Sequence, residues 1–362
     1  MAAPIPDENK VNYQFLGRSG LKVANICLGC MTFGESSWGL PGQSDEDLSH
    51  QILNRYVEWG GNFLDTADVY GQGRSETIVG KWLETQPRDK FVIATKVRGN
   101  MGTQENVNNV GLSRRHITEG IDRSLQRLHT DFVDLYQAHQ WDAGTPLEET
   151  LRTFDDLVRG GKVRYIGVSN FNGWQMERVV NTARTLGINP IISLQQQYSL
   201  ASRESEFEAF QVCKSAGIGV LPWSPLKGGL LTGKVKRGVQ PTEGRIGWAA
   251  QRGGRGNFTD KTFDIVEAAE AIAKSRGRTT AQVSLRWLLQ RDVVSSVIIG
   301  ATKLAQLDDN MAANGWSLTA EEMKQLDDVS APEATYPYEG IQRQNGDRVN
   351  PALQDVYVRS IA

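Results

Sequence analysis

Short apolar runs alternate with longer amphipathic segments along most of the chain. The apolar runs contain few polar residues, as expected for strands of a parallel sheet that helices cover. The segments between them carry helical periodicity and start at capping residues such as Ser113. The predicted core strands are 23–28, 63–65, 91–96, 133–137, 164–168, 191–194, 219–222 and 296–299. The predicted helices are 44–59, 75–84, 113–128, 146–160, 174–186, 204–216, 263–276, 281–290, 304–314 and 320–329.

Eight strands, each followed by helical sequence, predict a single (β/α)8 TIM barrel in the α/β class, because an open sheet gives no reason to stop at eight. Residues 13–16 and 21–28 flank a Gly-containing turn and predict a β-hairpin before the barrel. We expect one domain over residues 1–362, with the barrel at about 13–330. Residues 331–362 form a C-terminal tail that is either disordered or folded over one barrel face.

Composition narrows the class of protein. With 362 residues, 39% of them hydrophobic, the chain buries a large core, and its formal net charge of -2 without a basic block argues against nucleic-acid binding. No signal-type N-terminus and no stretch of about 18 apolar residues occurs, so we expect a soluble cytoplasmic protein with no membrane association. Cys27 and Cys30 form a C-x-x-C pair, but no further ligands stand at zinc spacing, so we expect no metal site.

Polar or titratable residues stand where the predicted strands end, and a barrel places its active site at this rim. They are Asp65 with Tyr70, Lys96, His139, Ser169 with Asn170, Gln195, and Trp223 with Ser224. Each has a structural alternative, since a lone lysine is usually on the surface and a lone histidine is usually a core residue. Their succession at six strand ends predicts a functional site.

The chemistry of these groups suits a carbonyl that accepts hydride. A tyrosine with its ordinary pKa of about 10 is a weak acid at neutral pH, but a neighbouring ammonium stabilises its phenolate and lowers that pKa. Lys96 would supply that charge to Tyr70, and Asp65 would keep Lys96 protonated. His139 would offer another donor to a developing oxyanion.

At these residues the sequence resembles the aldo-keto reductase family, from about Tyr13 to Val329. The matching segments are 65–71, 95–96, 134–139, 161–171 and 299–303. The resemblance implies that Tyr70 is the proton donor, that Asp65 and Lys96 tune it, and that His139 orients the carbonyl. It also implies hydride transfer from a nicotinamide dinucleotide, usually NADPH. The pattern is similar to the branch with bacterial reductases and potassium-channel β subunits.

The resemblance also implies the cofactor-binding residues. Ser169, Asn170 and Gln195 match residues that bind the carboxamide, and Trp223 matches the aromatic ring on which nicotinamide stacks. The pyrophosphate loop is matched by Ser224, Leu226, Gly228 and Leu230. The adenosine end is matched by Gly300, Thr302, Gln306, Asp309 and Asn310.

One departure concerns the 2′-phosphate. Gly300 and Gln306 stand where the mammalian branch of the family has Lys and Arg. Lys234, Arg245 and Lys303 would supply positive charge instead. NADPH is therefore the expected cofactor, and NADH is the alternative.

Other motifs point to other functions. Residues 228–234 fit G-x-x-x-x-G-K, but Val235 stands where a phosphate loop needs Ser or Thr, which argues against a nucleoside triphosphatase. No G-x-G-x-x-G follows an early strand, so we expect no Rossmann-type site. An aldolase with Lys96 as its Schiff-base residue is a further alternative.

The sequence thus predicts an NADPH-dependent enzyme that reduces an aldehyde or ketone to the alcohol. The alternative is a regulatory subunit that senses nicotinamide nucleotides, although His139 argues for the enzyme because channel β subunits carry Asn there. Loops at 36–42, 98–111 and 236–260, and the tail, would select the small-molecule substrate. Trp38, Trp141 and Arg98 are candidate pocket residues that packing explains equally well. The sequence leaves substrate and oligomeric state open.

Overall fold

The structure is a computed structural model that describes residue 5 and residues 10–34, 42–101, 106–239, 242, 244–251 and 258–340. The strands are β1 (Tyr13–Phe15), β2 (Lys22–Ala24), β3 (Ile26–Gly29), β4 (Phe63–Asp65), β5 (Val92–Val97), β6 (Val133–Ala138), β7 (Val163–Ser169), β8 (Ile191–Gln197), β9 (Gly219–Trp223) and β10 (Val297–Ile299). The helices are α1 (Glu46–Glu58), α2 (Arg74–Leu83), α3 (Arg114–Leu128), α4 (Leu147–Arg159), α5 (Gly173–Leu186), α6 (Ala209–Ala216), α7 (Gly244–Gln251), α8 (Asp260–Arg276), α9 (Thr280–Leu289), α10 (Leu304–Met311) and α11 (Ala320–Ser330).

Eight parallel strands form a nearly closed barrel in the order β10-β3-β4-β5-β6-β7-β8-β9. The gap between β9 and β10 is bridged by the backbone of Val220, which donates to the Val293 carbonyl (3.0 Å) and accepts from the Ser295 N–H (2.9 Å). Helices follow the strands and cover the outside. The predicted (β/α)8 fold is confirmed.

The N-terminal hairpin is confirmed as well. Strands β1 and β2 pair antiparallel, and the turn between them lies against the β9 end of the barrel. Gly17 (φ 57°) is needed there, because a Cβ atom would come within 2.6 Å of the Gly217 carbonyl oxygen. The predicted strand 23–28 divides at Asn25, whose N–H donates to the Asn12 carbonyl (2.8 Å). The apolar run 23–28 thus supplies residues to both the hairpin strand β2 and the barrel strand β3.

Successive side chains along each strand point alternately into the barrel and outward, so they form two layers. One apolar cluster fills the barrel interior and includes Leu16, Cys27, Phe63, Ala94, Leu135 and Leu221. The intervening residues, such as Leu64 and Ile93, pack outward against the helices. Two positions beyond the inner apolar residues, the same face carries Asp65, Lys96, Gln137 and Trp223. Polar side chains therefore lie above an apolar layer at the carboxyl rim.

Two segments differ from the predicted pattern or extend it. The predicted helix 204–216 begins only at Ala209, after a 3-10 turn at Glu204–Glu206. The Gly-rich stretch after β9 forms another 3-10 turn, Lys227–Thr232, followed by α7.

The described part of the tail runs beside α6. Tyr338 stacks on Phe207, with ring centroids 4.8 Å apart, and its hydroxyl donates to Glu208 Oε1 (2.5 Å). Tyr336 is 95% exposed, so its side chain does not close over the barrel mouth. Residues 341–362 lie outside the described part. Over the ranges that the structure describes, we find no helix with the length and apolar character needed to cross a membrane.

Candidate active site

A buried ion pair joins the ends of β4 and β5. Lys96 Nζ lies 2.5 Å from Asp65 Oδ1 and also donates to the Thr66 carbonyl at 2.8 Å. Both side chains are almost completely inaccessible to solvent. Burial opposes the charged form of Lys96, but the Asp65 carboxylate outweighs it and the pKa of Lys96 is raised. Lys96 is therefore an ammonium at neutral pH.

Tyr70 lies over this pair because the chain turns sharply after β4. Gly71 (φ 58°) and Gln72 (φ 57°) adopt left-handed conformations in the 3-10 turn Tyr70–Gly73. Lys96 Nζ donates to the Tyr70 hydroxyl at 3.2 Å. Tyr70 is half-buried, whereas Asp65 and Lys96 are buried. The phenol is thus the solvent-facing end of a chain of three titratable groups.

The pKa of Tyr70 differs from the value that the sequence suggested. Burial raises it above the ordinary value, while Lys96 acts to lower it. Burial is the larger effect, so the expectation of a lowered pKa is wrong. Tyr70 is protonated at neutral pH, which is the state of a proton donor.

His139 follows β6 and stands beside Tyr70, with ring centroids 5.7 Å apart in an edge-to-face arrangement. Its backbone N–H donates to the Val97 carbonyl at 2.9 Å, which fixes it at the end of β5. Burial, together with the charges of Lys96 and Arg98, lowers the pKa of His139 to about 3. The imidazole is therefore neutral at neutral pH and can act as an uncharged hydrogen-bond donor.

Two glutamines complete the surroundings of Asp65. Gln137 and Gln195 donate through Nε2 to Asp65 Oδ2, at 3.1 and 2.7 Å. The family resemblance implies a cofactor role for Gln195, whereas the sequence pattern does not single out Gln137. Gln137 lies one residue before the end of β6. It is two residues beyond the inward-facing Leu135, and side chains two residues apart on a strand point to the same face. This spacing is the feature of the sequence that places Gln137 inside the barrel.

Asn170 links three strands at the rim. It follows β7 with φ 58°, and its Nδ2 donates both to Ser169 Oγ and to the His139 carbonyl at 3.0 Å. Its Oδ1 accepts from Trp223 Nε1 at the end of β9, also at 3.0 Å. These predicted residues are brought together around the barrel mouth with the indole of Trp223 half-buried there.

The loop after β9 is rich in left-handed residues. Ser224 (φ 54°), Lys227 (φ 49°), Gly228 (φ 67°) and Gly229 (φ 108°) all have positive φ, and such turns aim backbone N–H groups into an anion-binding concavity. Leu226 is partly buried and Leu230 is buried, which anchors the loop in the core.

Helix α7 packs against this loop. The contact is close at Gly228, because a Cβ atom added to this glycine would lie 3.8 Å from Ile246 Cγ1. The neighbouring Arg245 is partly exposed, burial lowers its pKa, and it forms no ion pair with any residue that the structure describes. Lys234 and Lys303 are exposed.

The segment after β10 carries the remaining predicted residues. The Thr302 N–H and hydroxyl both donate to Gln306 Oε1, at 3.0 and 3.1 Å. Asn310 is buried and its Nδ2 lies 3.5 Å from the carbonyl of the exposed Gly300. Asp309 accepts from Gln282 Nε2 (2.8 Å), so its carboxylate already holds the start of α9.

The cysteine pair and one candidate pocket residue, Trp141, also have defined places. Cys27 belongs to the barrel interior and Cys30 to the outer core, so the two thiols lie on opposite faces of β3. Burial raises the pKa of both. Trp141 packs edge-on against Phe171 at 5.4 Å. Trp38 lies outside the described residues.

Comparison with known proteins gives a family match over most of the chain. Residues 25–331 match the profile of the "Aldo/keto reductase family". The chain is 35% identical to "Uncharacterized oxidoreductase YrpG" of Bacillus subtilis (strain 168), over 88% of this chain and 96% of that protein. It is 34% identical to "Versiconal hemiacetal acetate reductase" of Aspergillus parasiticus, over 91% and 100%.

A third relative is named for a different role. The chain is 35% identical to "Putative voltage-gated potassium channel subunit beta" of Schizosaccharomyces pombe (strain 972 / ATCC 24843), over 88% of this chain and 93% of that protein. Proteins named as oxidoreductases and a protein named as a channel subunit are therefore similar to this chain to the same degree. The profile match and the shared length lead to one conclusion: the chain belongs to the aldo/keto reductase family.

Proposed function

We propose that the protein reduces an aldehyde or ketone to the alcohol with NADPH, and that Tyr70 donates the proton. The observation that carries this proposal is the chain from the Tyr70 hydroxyl through Lys96 Nζ (3.2 Å) to Asp65 Oδ1 (2.5 Å). It presents a protonated acid at the barrel mouth with a fixed positive charge directly behind it. Such preorganised charge is what a developing oxyanion requires.

The residues at the rim fit a nicotinamide dinucleotide. Trp223 offers an aromatic face, and the left-handed loop from Ser224 to Gly229 offers backbone N–H groups for a pyrophosphate. Gly300 is exposed and has no atom within 4 Å of a built Cβ, which leaves room beside it. Arg245, partly exposed and without an ion pair among the described residues, suits a 2′-phosphate. When bound, the cofactor supplies the hydride.

The protein's own groups handle the proton. The Tyr70 hydroxyl donates to the carbonyl oxygen, and Lys96 compensates the phenolate charge that remains. Asp65 stays in place because Lys96, Gln137 and Gln195 all donate to it. The neutral His139 donates a second hydrogen bond to the same oxygen and thereby orients the carbonyl.

A regulatory subunit that binds the nucleotide without turnover is the second candidate. The similarity to the Schizosaccharomyces pombe protein named as a channel subunit favours it. Against it stands the neutral imidazole of His139 in edge contact with Tyr70, an arrangement that a purely sensing site does not need.

Replacing Tyr70 by Phe tests the proposal, because the change removes the proton donor and leaves the ring. We expect kcat for 4-nitrobenzaldehyde with NADPH to fall by about 10²–10⁴-fold, the usual worth of a general acid. The Kd for NADPH, measured by fluorescence quenching, should stay within about twofold.

A parallel loss of NADPH binding in this variant would show that Tyr70 is misassigned. Tight NADPH binding by the unmodified protein without oxidation, across a panel of aldehydes and ketones, would favour the regulatory subunit.

A further inference from the structure

Arg98 stands at the barrel rim next to the carbonyl site. The register of β5 and β6 pairs Val97 with Ala138, so Arg98 and His139 are the next residues on neighbouring strands. Burial and the charge of Lys96 lower the pKa of His139 most, and the charge of Arg98 lowers it further. A second cation therefore lies close to the imidazole that would orient the substrate.

This guanidinium has no carboxylate partner among the residues that the structure describes. Its Nε atom is buried without a hydrogen-bond acceptor, and it forms no ion pair with a carboxylate in the described ranges. Asp142 is near enough for Arg98 to lower its pKa, although the hydrogen bond from the Leu112 N–H contributes more. Burying a charged donor without an acceptor is unfavourable, so the site is electrostatically incomplete.

Asp142 does not complete it, because other groups occupy its oxygens. Oδ2 accepts from the Leu112 N–H and the Thr145 hydroxyl, both at 2.7 Å. Oδ1 accepts from the Gly144 N–H at 2.9 Å. Lys96 differs from Arg98 in this respect, since its charge is balanced by Asp65 at 2.5 Å.

The backbone at Arg98 is strained. Its φ is 143°, which residues with a side chain rarely adopt, and its carbonyl accepts from the Gly111 N–H at 3.0 Å. Strained residues persist where the surrounding structure holds them, and they cluster at ligand sites. The fold thus holds at the mouth a guanidinium that forms no ion pair within the described part of the chain.

We propose that Arg98 binds an anionic group of the substrate, a carboxylate or a phosphate, so that the preferred substrates are carbonyl compounds carrying such a group. A guanidinium fork matches both groups through two parallel hydrogen bonds. The inference rests on the proposed reductase function.

The position of Arg98 in the barrel assigns this anion to the substrate and not to the cofactor. Strand β5 is three places from β10 and four places from β9 around the barrel. The left-handed loop and the 300–310 segment proposed for the cofactor phosphates follow β9 and β10. Arg98 therefore faces the mouth from the opposite side.

Matched substrates that differ only in charge test the proposal. We would compare kcat/KM for 4-carboxybenzaldehyde and its neutral methyl ester, and for glyceraldehyde 3-phosphate and glyceraldehyde, with NADPH. The unmodified protein should favour at least one anionic partner by about tenfold or more, mainly through KM, as expected for a charge-assisted hydrogen bond. The two pairs show whether carboxylate or phosphate is the preferred group.

Variants identify the residue responsible. Arg98→Gln should abolish the preference while leaving kcat/KM for the neutral partner within about twofold, and Arg98→Lys should retain part of it. Arg152→Gln on α4, which removes an exposed arginine, is the matched control and should change neither value.

Equal kcat/KM for charged and neutral partners in the unmodified protein would overturn the anion subsite and leave the reductase function standing. An equal loss on both partners in Arg98→Gln would also overturn it, by showing a structural role. If none of the four compounds were reduced, the reductase function and the subsite would fail together.

Discussion

The carboxylate of Asp65 shows at the scale of single residues how the site is built. A buried ion pair is stable only when the remaining lone pairs find donors. Lys96 takes Oδ1, while Gln137 and Gln195 take Oδ2. The ammonium is therefore held in one position below the Tyr70 hydroxyl.

The protonation states at the site lead to an expected pH profile. His139, with a pKa lowered to about 3, stays neutral from pH 5.5 to 8.5, and the raised pKa values of Tyr70 and Lys96 keep both protonated. We therefore expect log kcat/KM for aldehyde reduction to be flat over this range. An inflection near the ordinary histidine pKa of about 6.5 would contradict the neutral imidazole.

The same shift affects stability. Because the pKa of His139 is lower in the folded protein than in the unfolded chain, its contribution to stability is present above pH of about 6.5 and is lost as the pH falls toward 3. Initial rates in the pH series should therefore be measured where circular dichroism shows the folded protein.

The sequence was informative for residues that end strands and less so for those that do not. Asp65, Lys96 and His139 could be located because apolar runs stop at them. Gln137 lies inside its strand, and only the direction of its side chain makes it part of the site. The left-handed backbone of Asn170 depends on tertiary contacts, including its N–H bond to the Gln195 carbonyl.

At the scale of elements, the proposed preference for NADPH over NADH depends on α7 and the loop after β9. Arg245 lies near the start of α7, which packs on that loop. We expect Arg245→Ala to raise KM for NADPH by about tenfold or more and KM for NADH by less than about twofold, because only NADPH carries the 2′-phosphate. Steady-state kinetics with both cofactors would measure this.

An exposed arginine provides the control for that experiment. Arg152→Ala on α4 should leave both KM values unchanged. An unchanged ratio of the two KM values in Arg245→Ala would remove Arg245 from the 2′-phosphate site and leave Lys234 or Lys303 as the candidates.

Most elements could be predicted, because a barrel strand is an apolar run and its helix begins at a recognisable cap. The apolar run 21–28 predicts one strand, but β2 and β3 separate at Asn25. The side chain of Asn25 donates through Nδ2 to Asn314 Oδ1 (2.8 Å), a contact with a residue far away in the sequence. The late start of α6 was also missed. Arg203 and Glu206, a buried ion pair at 2.8 Å, hold the preceding segment as a turn. Arg203 also donates to the Asp327 carbonyl at 2.9 Å, and this residue is 124 positions away in the sequence.

At the scale of the whole molecule, the closed ring of strands makes distant residues neighbours. Asp65 and Gln195 are 130 positions apart, and their side chains meet at 2.7 Å. The barrel could be predicted from the number of units, and with it the convergence of strand ends. The substrate could not, since it depends on rim loops such as the one that carries Arg98.

The central claim is that the protein catalyses hydride transfer from the cofactor to a carbonyl group, while Tyr70 supplies the proton. The direct measurement is NMR of the product after incubation of 4-nitrobenzaldehyde with NADPH deuterated at the transferable C4 position. We expect one deuterium on the carbinol carbon of 4-nitrobenzyl alcohol, and we expect the labelled product to be almost absent with Tyr70→Phe. An unlabelled alcohol, or equal labelling by the variant, would contradict the account.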